Sequence, residues 1–517
     1  MASKVRAWLL ANRTSVRLAF AFRLFGMFAG SLFSLLWTRL LLRAMGDALF
    51  GLFLSFQSVT RLGGLGDLGM SGAVALRAGQ HLGRGEDDKL QRFLASARSL
   101  FLLFSVLAGA VFIALSPWLP FWLHFEQLAE AGSLPLLFAL GGVSVGVLIV
   151  SGYLYSLNFA HGTVTWPILP AIFLGQILAP FGHWLLARLG LPLWVQLLPY
   201  IVCSLATGFL AIQFLRWSHP YLGKIRPLGF NRAEWHGLAL SSGWVYLCTL
   251  GSAIYHTVDR LVINAGFGPQ IVPMYQANYK LTELSWTLVV TASTVAIPKL
   301  TQWVASGDPA DRARVVHQTR RLNLFQTLLG CAAALAYLAL NDSFMRLWLG
   351  PRYLAPALLQ FAFAWNLAVS TSGDAGIQLA GRFGMKGIRN MGIAVGGTGL
   401  LNLALSYLAM KIGFLEGVAF ATVIAQSALS LILGWDTCRR LGFSFGAWLA
   451  KSWLFPSLIV LGAFGLRAVF LPESVLPIAK LLGCYLVLLV GLAFAIGANR
   501  KMLAEEWHIL RAMMGKR

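Results

Sequence analysis

Apolar segments of about bilayer-spanning length follow one another from Leu24 to Gly497, and lysine and arginine are concentrated in alternate gaps between them. A transmembrane helix needs about 20 mostly apolar residues, and cytoplasmic loops retain Lys and Arg. Most of the 41 Lys and Arg residues fall in the odd-numbered gaps, counting the N-terminal segment as the first. Fourteen spans with both termini in the cytoplasm preserve this alternation. The sequence therefore predicts a multi-pass protein of the bacterial inner membrane.

The composition supports a membrane protein and disfavours a nucleic-acid partner. Hydrophobic residues make up 58% of the chain and charged residues 12%, about half the charged fraction of a typical soluble domain. The net charge of +22 is then mostly topogenic, and we expect much of it to face the anionic inner leaflet. The five cysteines lie in or beside apolar spans without a CxxC pattern, so we expect small buried hydrophobes rather than disulfides or metal ligands.

The loops between the spans are short, which argues against several classes of enzyme. Membrane glycosyltransferases, ligases and polymerases generally need a sizeable external loop or domain to hold an acceptor, and no predicted external loop has that length. No GxxxxGK[ST] stretch occurs in the sequence, which excludes a P-loop for ATP. We therefore expect a protein that is not an enzyme, with no cofactor and no metal.

The spans group into two lobes of six, followed by two further spans. The longest cytoplasmic gaps, 216–234 and 299–322, guide this division. The predicted segments are a basic N-terminal lead (1–23), an N-lobe (24–216), a cytoplasmic linker (217–237), a C-lobe (238–436) and a C-terminal pair of spans with a basic tail (437–517). The expected fold is all-α, with two pseudo-symmetric lobes around a central cavity.

A short motif recurs at the start of both lobes and indicates an internal duplication. An offset of 222 residues places Gly46 on Gly268, Phe50 on Val272 and Phe53 on Tyr275. Each copy reads as a glycine turn that leads into a helix with a bulky residue in its first turn. Duplicated halves are common in secondary transporters and tend to place the substrate site between them.

These residues also carry a resemblance to a known family. The pattern R-x-x-G-x-x-x-F-G from Arg43 to Gly51, with the later run Gly66-Asp67-Leu68-Gly69-Met70, resembles the opening of polysaccharide flippases. These are the Wzx-type O-antigen and exopolysaccharide exporters of the multidrug/oligosaccharidyl-lipid/polysaccharide (MOP) superfamily. Residues 240–302 are similar to the middle region of that family, on the motifs 259–268, 275–281 and 296–300. Pro273 departs from the glycine usual in the family, but proline is tolerated in the first turn of a helix.

Six ionisable residues lie inside predicted spans, where each one costs about 2.5–3.5 kcal/mol on insertion scales. Their shared feature is that they cluster in spans 2, 7 and 8; they are Arg61, Asp67, Asp259, Arg260, Lys280 and Glu283. One interpretation is a set of internal pairs, because Lys280 and Glu283 have the i,i+3 spacing of an ion pair. The other is a hydrophilic cavity, with Glu283 at the same pseudo-symmetric depth as Arg61.

Asp67 has a structural alternative of its own, since within Gly66-Asp-Leu-Gly69 it can cap a break in the helix. Polar neighbours favour the cavity, because amide and aromatic side chains suit sugars and arginine suits a pyrophosphate. These neighbours are Gln57, His256, Tyr275, Asn278 and Tyr279, to which Asn366 and Asp374 add candidates at span 10. His256 is also readily explained as a packed helix residue.

The resemblance implies a flippase that moves an undecaprenyl-pyrophosphate-linked oligosaccharide across the inner membrane by alternating access. In this hypothesis Arg61, Arg260 and Lys280 attract the pyrophosphate, while Asp259 and Glu283 hold these cations or carry a coupling proton. Asp67 is a further cavity carboxylate that could serve in coupling. The expected partners are the lipid-linked oligosaccharide, the bilayer, a coupling proton or sodium ion, and polysaccharide polymerase or chain-length machinery; nucleic acid and ATP are not expected. The alternatives are an ion-coupled multidrug antiporter of the same superfamily and a flippase of peptidoglycan precursors.

Overall fold

The computed structural model describes residues 16–84, 86–122, 134–160, 168–218, 229, 231–306 and 308–470. Nearly all of these residues are helical, and none of them lies in a β-strand. The predicted fourteenth span (476–497), the basic tail and most of the N-terminal lead lie outside them. The α-helices that position the residues discussed below are α1 (Val16–Gly63), α2 (Met70–Arg84), α3 (Asp87–Leu115), α4 (Leu134–Ala160), α5 (Ala179–Arg188), α6 (Leu198–Ser218), α7 (Arg232–Phe267), α8 (Val272–Ser306), α9 (Pro309–Trp348), α10 (Ala357–Thr371), α11 (Asp374–Ala380), α12 (Gly384–Lys411), α13 (Leu415–Leu441), α14 (Phe445–Leu449) and α15 (Phe455–Phe470).

Eight helical segments of the described residues are long and apolar enough to cross a membrane. The expected all-α polytopic fold is therefore confirmed, while the count of fourteen spans and the side of each terminus stay predictions. Helices α7 and α8 are 36 and 35 residues long but are not among the eight. Both carry charges within their length, Asp259 with Arg260 and Lys280 with Glu283.

The chain divides into two compact units by the density of its internal contacts. Unit 1 comprises Met1–Pro273 and Gly392–Val418, and unit 2 comprises Met274–Met391 and Ala419–Arg517. Unit 1 thus contains α7 and most of α12 in addition to the first six helices. The predicted lobes, 24–216 and 238–436, follow span order instead of packing, and their boundaries stay a prediction.

Small residues allow close helix packing inside unit 1. A Cβ atom added to Gly142 of α4 would lie 2.8 Å from the carbonyl oxygen of Gly109 of α3. Helices α7 and α12 pack in the same way, because a Cβ added to Gly399 would lie 2.8 Å from the Cα atom of Gly251. Small residues at membrane helix interfaces let the backbones approach, so that packing replaces the missing hydrophobic effect. Helix α7 also packs against α1 and α2.

Both copies of the repeated glycine turn contain a glycine with positive φ. Gly46 has φ +75° and kinks α1, and Gly268 has φ +86° between α7 and α8. Glycine adopts these values without the steric cost that a Cβ atom brings. The turns also meet within unit 1, since a Cβ added to Gly51 would lie 2.8 Å from the carbonyl carbon of Pro269. Positive φ also occurs at other glycines of the described residues, such as Gly190 and Gly413, so the internal duplication stays a prediction.

Unit 2 is built on α9, against which α10 and α15 pack. At the end of the unit that carries Lys299 and Arg321, an apolar cluster joins four helices; its buried members are Ile297, Leu300, Val315, Leu322, Ala375, Leu379 and Leu441. Near the other end of α15, Arg467 donates to Asp342 of α9 across 2.5 Å. Helices α8, α9, α11 and α13 are thus fixed to one another by the apolar cluster, and α15 to α9 by the ion pair.

Candidate functional site

Arg61 lies on the last turn of α1 and its side chain is exposed. It is 15 residues beyond the kink at Gly46, which at 1.5 Å per residue is about 22 Å along the helix. No carboxylate among the described residues of unit 1 lies within 4 Å of its guanidinium group. Gln57, one turn earlier, is partly exposed. The structure therefore leaves a cation and an amide accessible near the end of the same helix.

Asp67 caps the break that separates α1 from α2. Its Oδ1 accepts a hydrogen bond of 2.9 Å from the backbone N–H of Gly69, and its Oδ2 accepts one of 2.5 Å from the hydroxyl of Ser71. Leu68 has φ +51° and Gly69 has φ +75°, so the chain turns sharply here. The capping role considered for Asp67 is thus present, whereas its role in coupling stays a prediction.

Asp259 and Arg260 lie on α7 in unit 1. The Arg260 side chain is only 7% exposed, and Asp259 is half-buried. Both take part in polar or electrostatic interactions with the rest of the protein. The side chain of His256, one turn earlier, lies outside the described part of the chain. Arg260 is therefore far less accessible than Arg61 in this conformation.

Lys280 and Glu283 form an ion pair on α8 in unit 2. The Lys280 Nζ lies 2.8 Å from the Glu283 Oε2, and the side chains are 20% and 36% exposed. The i,i+3 pair that the sequence indicated is therefore present, and both partners keep some access to solvent or ligand. Each of them is compensated by the other.

The polar residues that precede Lys280 lie in the interior of unit 2. Asn278 is fully buried and donates to the carbonyl oxygens of Met274 and Tyr353, at 2.8 and 2.7 Å. The rings of Tyr275 and Tyr279 pack on Phe363, with centroid separations of 5.0 and 5.6 Å. The two tyrosines thus pack against α10, and Asn278 joins α8 to the segment that precedes α10. Their role in substrate binding stays a prediction.

A buried carboxylate at the start of α11 is held by neutral donors. The Asp374 Oδ2 accepts hydrogen bonds from Ser293 Oγ at 2.6 Å, Gln378 Nε2 at 2.7 Å and Gln326 Nε2 at 3.2 Å. Asp374 is 7% exposed, and no Lys or Arg of the described residues lies within 4 Å of it. A carboxylate in such a place is stabilised by a proton or a bound cation, because dipoles alone compensate its charge poorly. The sequence indicated Asp374 only as a minor candidate.

Arg467 and Asp342 form a second buried cluster, which the sequence did not reveal. The Arg467 guanidinium donates to Asp342 Oδ2, to Gln360 Oε1 at 3.0 Å and to the Leu338 carbonyl oxygen at 3.0 Å. Both charged side chains are nearly buried. Each lies at the end of a predicted span, where a charge is easily attributed to topology. Its three protein partners indicate that Arg467 stabilises the packing of α15.

An apolar groove of about 600 Å³ lies between α3, α4 and α6 of unit 1. Its lining combines small residues such as Gly109, Gly146 and Gly208 with the larger Phe209 and Leu154. None of the predicted site residues lines it, and neither do the ionisable clusters described above. The groove therefore suits hydrocarbon rather than a charged group.

The comparisons with solved structures place the fold among known transporters. A multidrug resistance MATE family transporter of the MOP superfamily in an inward-facing conformation superposes with a TM-score of 0.54, at 12% identity, over 87% of this chain and 99% of that one. A MATE structure in a bent conformation gives 0.52 at 14% identity, over 86% and 96% of the two chains. A MOP superfamily transporter from Pyrococcus furiosus, described as having a binding pocket of reversed polarity, gives 0.51 at 15% identity over 84% and 96%. The chain thus has the two-lobed, MATE-like fold of MOP transporters.

The sequence comparisons are more limited. An uncharacterized membrane protein, EpsK of Bacillus subtilis, is 25% identical over 179 residues, which is 34% of each chain. The match therefore spans about a third of that relative's length. No family model matches the sequence.

Proposed function

We propose that this multi-pass membrane protein flips an undecaprenyl-pyrophosphate-linked oligosaccharide from the inner to the outer leaflet of a bacterial inner membrane. Its MATE-like fold is that of membrane transporters, and the motifs of residues 20–80 and 240–302 resemble polysaccharide flippases. In this proposal the polar head group is carried by alternating access while the lipid tail stays in the bilayer. No bond is made or broken, so the protein acts as a transporter and not as an enzyme.

The observation that carries the proposal is the exposed cation Arg61. A guanidinium group inside a membrane helix is costly unless it has a function or a partner, and none of the carboxylates described in unit 1 pairs with it. Its planar donors fit the oxygens of a phosphate group in bidentate fashion. A pyrophosphate is the anionic part of the proposed substrate. Gln57 supplies an amide for a sugar hydroxyl on the same helix.

The other charges of spans 7 and 8 take supporting roles. Lys280 keeps partial access beside Glu283, so a phosphate can compete for its ammonium group. Arg260 is nearly buried and would contribute its field more than direct contact in this conformation. Asp259 and Glu283 would keep these cations in place when no substrate is bound.

Asp374 is the candidate for the coupling ion in this proposal. It is a carboxylate held by Ser293, Gln326 and Gln378 alone among the described residues, so a proton or a sodium ion would neutralise it. Neutralisation changes the free energy of the surrounding helices, and that change can bias one conformation over another. Transport would then be driven by the ion gradient.

The test uses cells that lack their own flippase but make the cognate lipid-linked sugar. The wild type, Arg61→Ala, Arg61→Lys and the control Arg188→Ala are expressed at matched membrane levels, and surface polysaccharide is measured. Arg188 is an exposed arginine at the end of α5, remote in sequence from the motif. We expect Arg61→Ala to lose about 10- to 100-fold, the loss of a charged hydrogen bond of about 1.5–3 kcal/mol, and Arg188→Ala to keep full activity.

Other results would contradict parts of the proposal. Full rescue by Arg61→Ala would show that this cation does not bind the pyrophosphate. Absence of rescue by the wild type would reject the flippase itself.

The multidrug antiporter is the second candidate, and Asp374 is the observation that favours it. An uncompensated carboxylate suits cation-coupled export of cationic drugs. In drug-sensitive cells this function predicts efflux of ethidium by the wild type, loss of efflux in Asp374→Asn, and no effect of Arg61→Ala. A flippase of peptidoglycan precursors, the third alternative, would instead rescue cells depleted of their own such flippase.

A further inference from the structure

A break in the helical conformation separates α10 from α11 and lies immediately before Asp374. Helix α10 ends at Thr371, Gly373 adopts φ +80°, and α11 begins at Asp374. The amide of Ile377 donates to the Gly373 carbonyl oxygen at 3.1 Å, so the new helix starts directly from the break. The direction in which the Asp374 carboxylate points is therefore set by the conformation of residues 372 and 373.

The indole ring of Trp448 fills the space beside this break. A Cβ added to Gly373 would lie 3.0 Å from Trp448 Cζ2, and one added to Gly434 of α13 would lie 2.5 Å from the same atom. The ring is buried, with 8% exposure, and stacks on Phe445 of its own helix. It thus occupies the volume that two glycines leave, one at the break and one on α13. Close-packed contacts of this kind allow little displacement without strain.

The helical segment that carries Trp448 is joined to the rest of unit 2 by further side-chain hydrogen bonds, at Ser457 and at Arg467. A π-helical stretch, Ala450–Leu454, joins α14 to α15, as expected before Pro456, whose nitrogen cannot donate to the residue four positions earlier. Ser457 then accepts a hydrogen bond of 3.0 Å from the indole N–H of Trp365 on α10. Arg467 binds Asp342 and Gln360 at the far end. Trp448 is therefore held by its own helix as well as by its pocket.

We propose that Trp448 is a positioning residue for the Asp374 site: its ring holds the Gly373 break and so sets the geometry in which Asp374 binds its ion. Trp448 lies on α14, directly before the predicted thirteenth span (450–470), so the start of this C-terminal segment is then part of the coupling apparatus. The inference deepens the proposed function, because it rests on the role of Asp374 as the ion site.

Hydrogen bonds also fix the first residues of α11, so a change in the conformation of Gly373 would disturb the site around Asp374. The amide of Ala375 donates to Gln326 Oε1 at 3.0 Å, and the amide of Gly376 donates to Asn323 Oδ1 at 3.2 Å. The Gly376 carbonyl oxygen accepts from the Thr437 hydroxyl at 2.8 Å. A shift of α11 would therefore alter the donors of the carboxylate and the contacts of the backbone together.

Two measurements on the purified full-length chain test this inference. Hydrogen exchange of the amides in residues 372–378 reports the break directly. The thermal unfolding temperature, measured over a pH series and over a NaCl series balanced with choline chloride, reports ion binding. The variants are Trp448→Ala, Trp448→Phe, Asp374→Asn and the matched control Trp453→Ala, a tryptophan on the same helical segment.

We expect Trp448→Ala to accelerate exchange in residues 372–378 several-fold and to shift the midpoint of the proton or sodium dependence several-fold. Trp448→Phe should have a smaller effect than Trp448→Ala on the exchange rate and on the midpoint. Trp453→Ala should lower the unfolding temperature without changing the exchange rate or the midpoint. Asp374→Asn should abolish the ion dependence.

The results separate failure of the inference from failure of the proposed function. Unchanged exchange and an unchanged midpoint in Trp448→Ala, with only a lower unfolding temperature, would overturn the positioning role and leave Trp448 as packing. An unchanged ion dependence in Asp374→Asn would instead reject Asp374 as the coupling site, and with it the role of Trp448 in coupling.

Discussion

At the scale of single residues, the charges inside the membrane divide by whether the protein compensates them. Lys280 and Glu283 compensate each other, Asp67 is bonded to the start of α2, and Asp374 has only neutral donors among the described side chains. Arg61 is exposed without a carboxylate partner in the described part of unit 1. We expect substitution of a compensated group to lower mainly the stability of the protein, and substitution of an uncompensated group to lower mainly transport.

The pair on α8 offers a test of that distinction. We expect Lys280→Ala to lower the amount of folded protein, because Glu283 loses its partner in a partly buried place. Exchange of the two residues, Lys280→Glu with Glu283→Lys, should restore the unfolding temperature measured in detergent. Since the proposal needs a cation at position 280, the exchanged variant should still flip poorly. Full surface polysaccharide in the exchanged variant would make the pair purely structural.

Asp67 belongs to the stability class. Asp67→Ala removes the acceptor for Gly69 and Ser71, and we expect it to cost about 0.5–2 kcal/mol, the range for a lost helix cap. Asp67→Ser should recover part of this, and Asp88→Ala, an exposed carboxylate at the start of α3, should have no effect. The measurement is thermal unfolding of the purified variants. Equal unfolding temperatures for Asp67→Ala and wild type would show that the break does not need its cap.

The sequence predicted some of these residues well and others poorly, for physical reasons. An i,i+3 pair such as Lys280 and Glu283 is local, so spacing alone reveals it. The donors of Asp374 come from α8, α9 and α11, and only tertiary packing brings Ser293 and Gln326 to it. Arg467 and Asp342 are 125 residues apart, and each alone looks like a loop charge.

At the scale of helices, hydrophobicity determines where a span lies but says little about where it bends. The apolar segments predicted from composition correspond to helices throughout the described residues. The glycine turns at Gly46 and Gly268 were also predicted, because glycine tolerates positive φ. The π-helical stretch before Pro456 was not predicted, although its cause is local. The packing of Trp448 against Gly434 was not predicted because it depends on which helices become neighbours.

The attachment of α15 gives a prediction at this scale. Arg467→Met leaves Asp342 buried without its cation, and we expect a loss of about 3–5 kcal/mol, as for other buried pairs that lose one partner. The double variant Arg467→Met with Asp342→Leu should recover most of it, because no unpaired charge remains. Chemical or thermal unfolding of the purified full-length variants measures the stability of the single and the double variant. A double variant as unstable as the single one would show that the hydrogen bonds to Gln360 and Leu338 hold the helix instead.

At the scale of the whole molecule, the class of fold was accessible from the sequence, whereas the compact units of the structure depend on contacts between residues far apart in the chain. The alternation of charge and apolar segments predicted an all-α polytopic protein, and the solved MOP transporters share its fold. The lobes were drawn in span order, whereas unit 1 takes in α7 and the segment Gly392–Val418. Close contacts such as that of Gly251 with Gly399 assign Gly392–Val418 to unit 1. No local sequence pattern predicts such contacts.

The predicted topology has a direct test. With fourteen spans and both termini in the cytoplasm, a green fluorescent protein fused after Arg517 should fluoresce, and alkaline phosphatase fused there should be inactive. The reason is that each reporter works on only one side of the membrane. Fusions after Arg43, in a predicted external gap, provide the opposite result as a control. Active phosphatase at Arg517 would place the C-terminus outside and contradict the predicted topology.

The discontinuity of unit 1 also affects its synthesis. Its last segment, Gly392–Val418, follows 118 residues that belong to the other unit, Met274–Met391. At about 5–20 residues per second, the ribosome needs roughly 7 to 30 s to pass from residue 273 to residue 418. During that interval the glycine-lined face of α7, including Gly251, has been inserted without α12 to cover it. We therefore expect this face of α7 to contact lipid or an insertion factor until α12 is inserted.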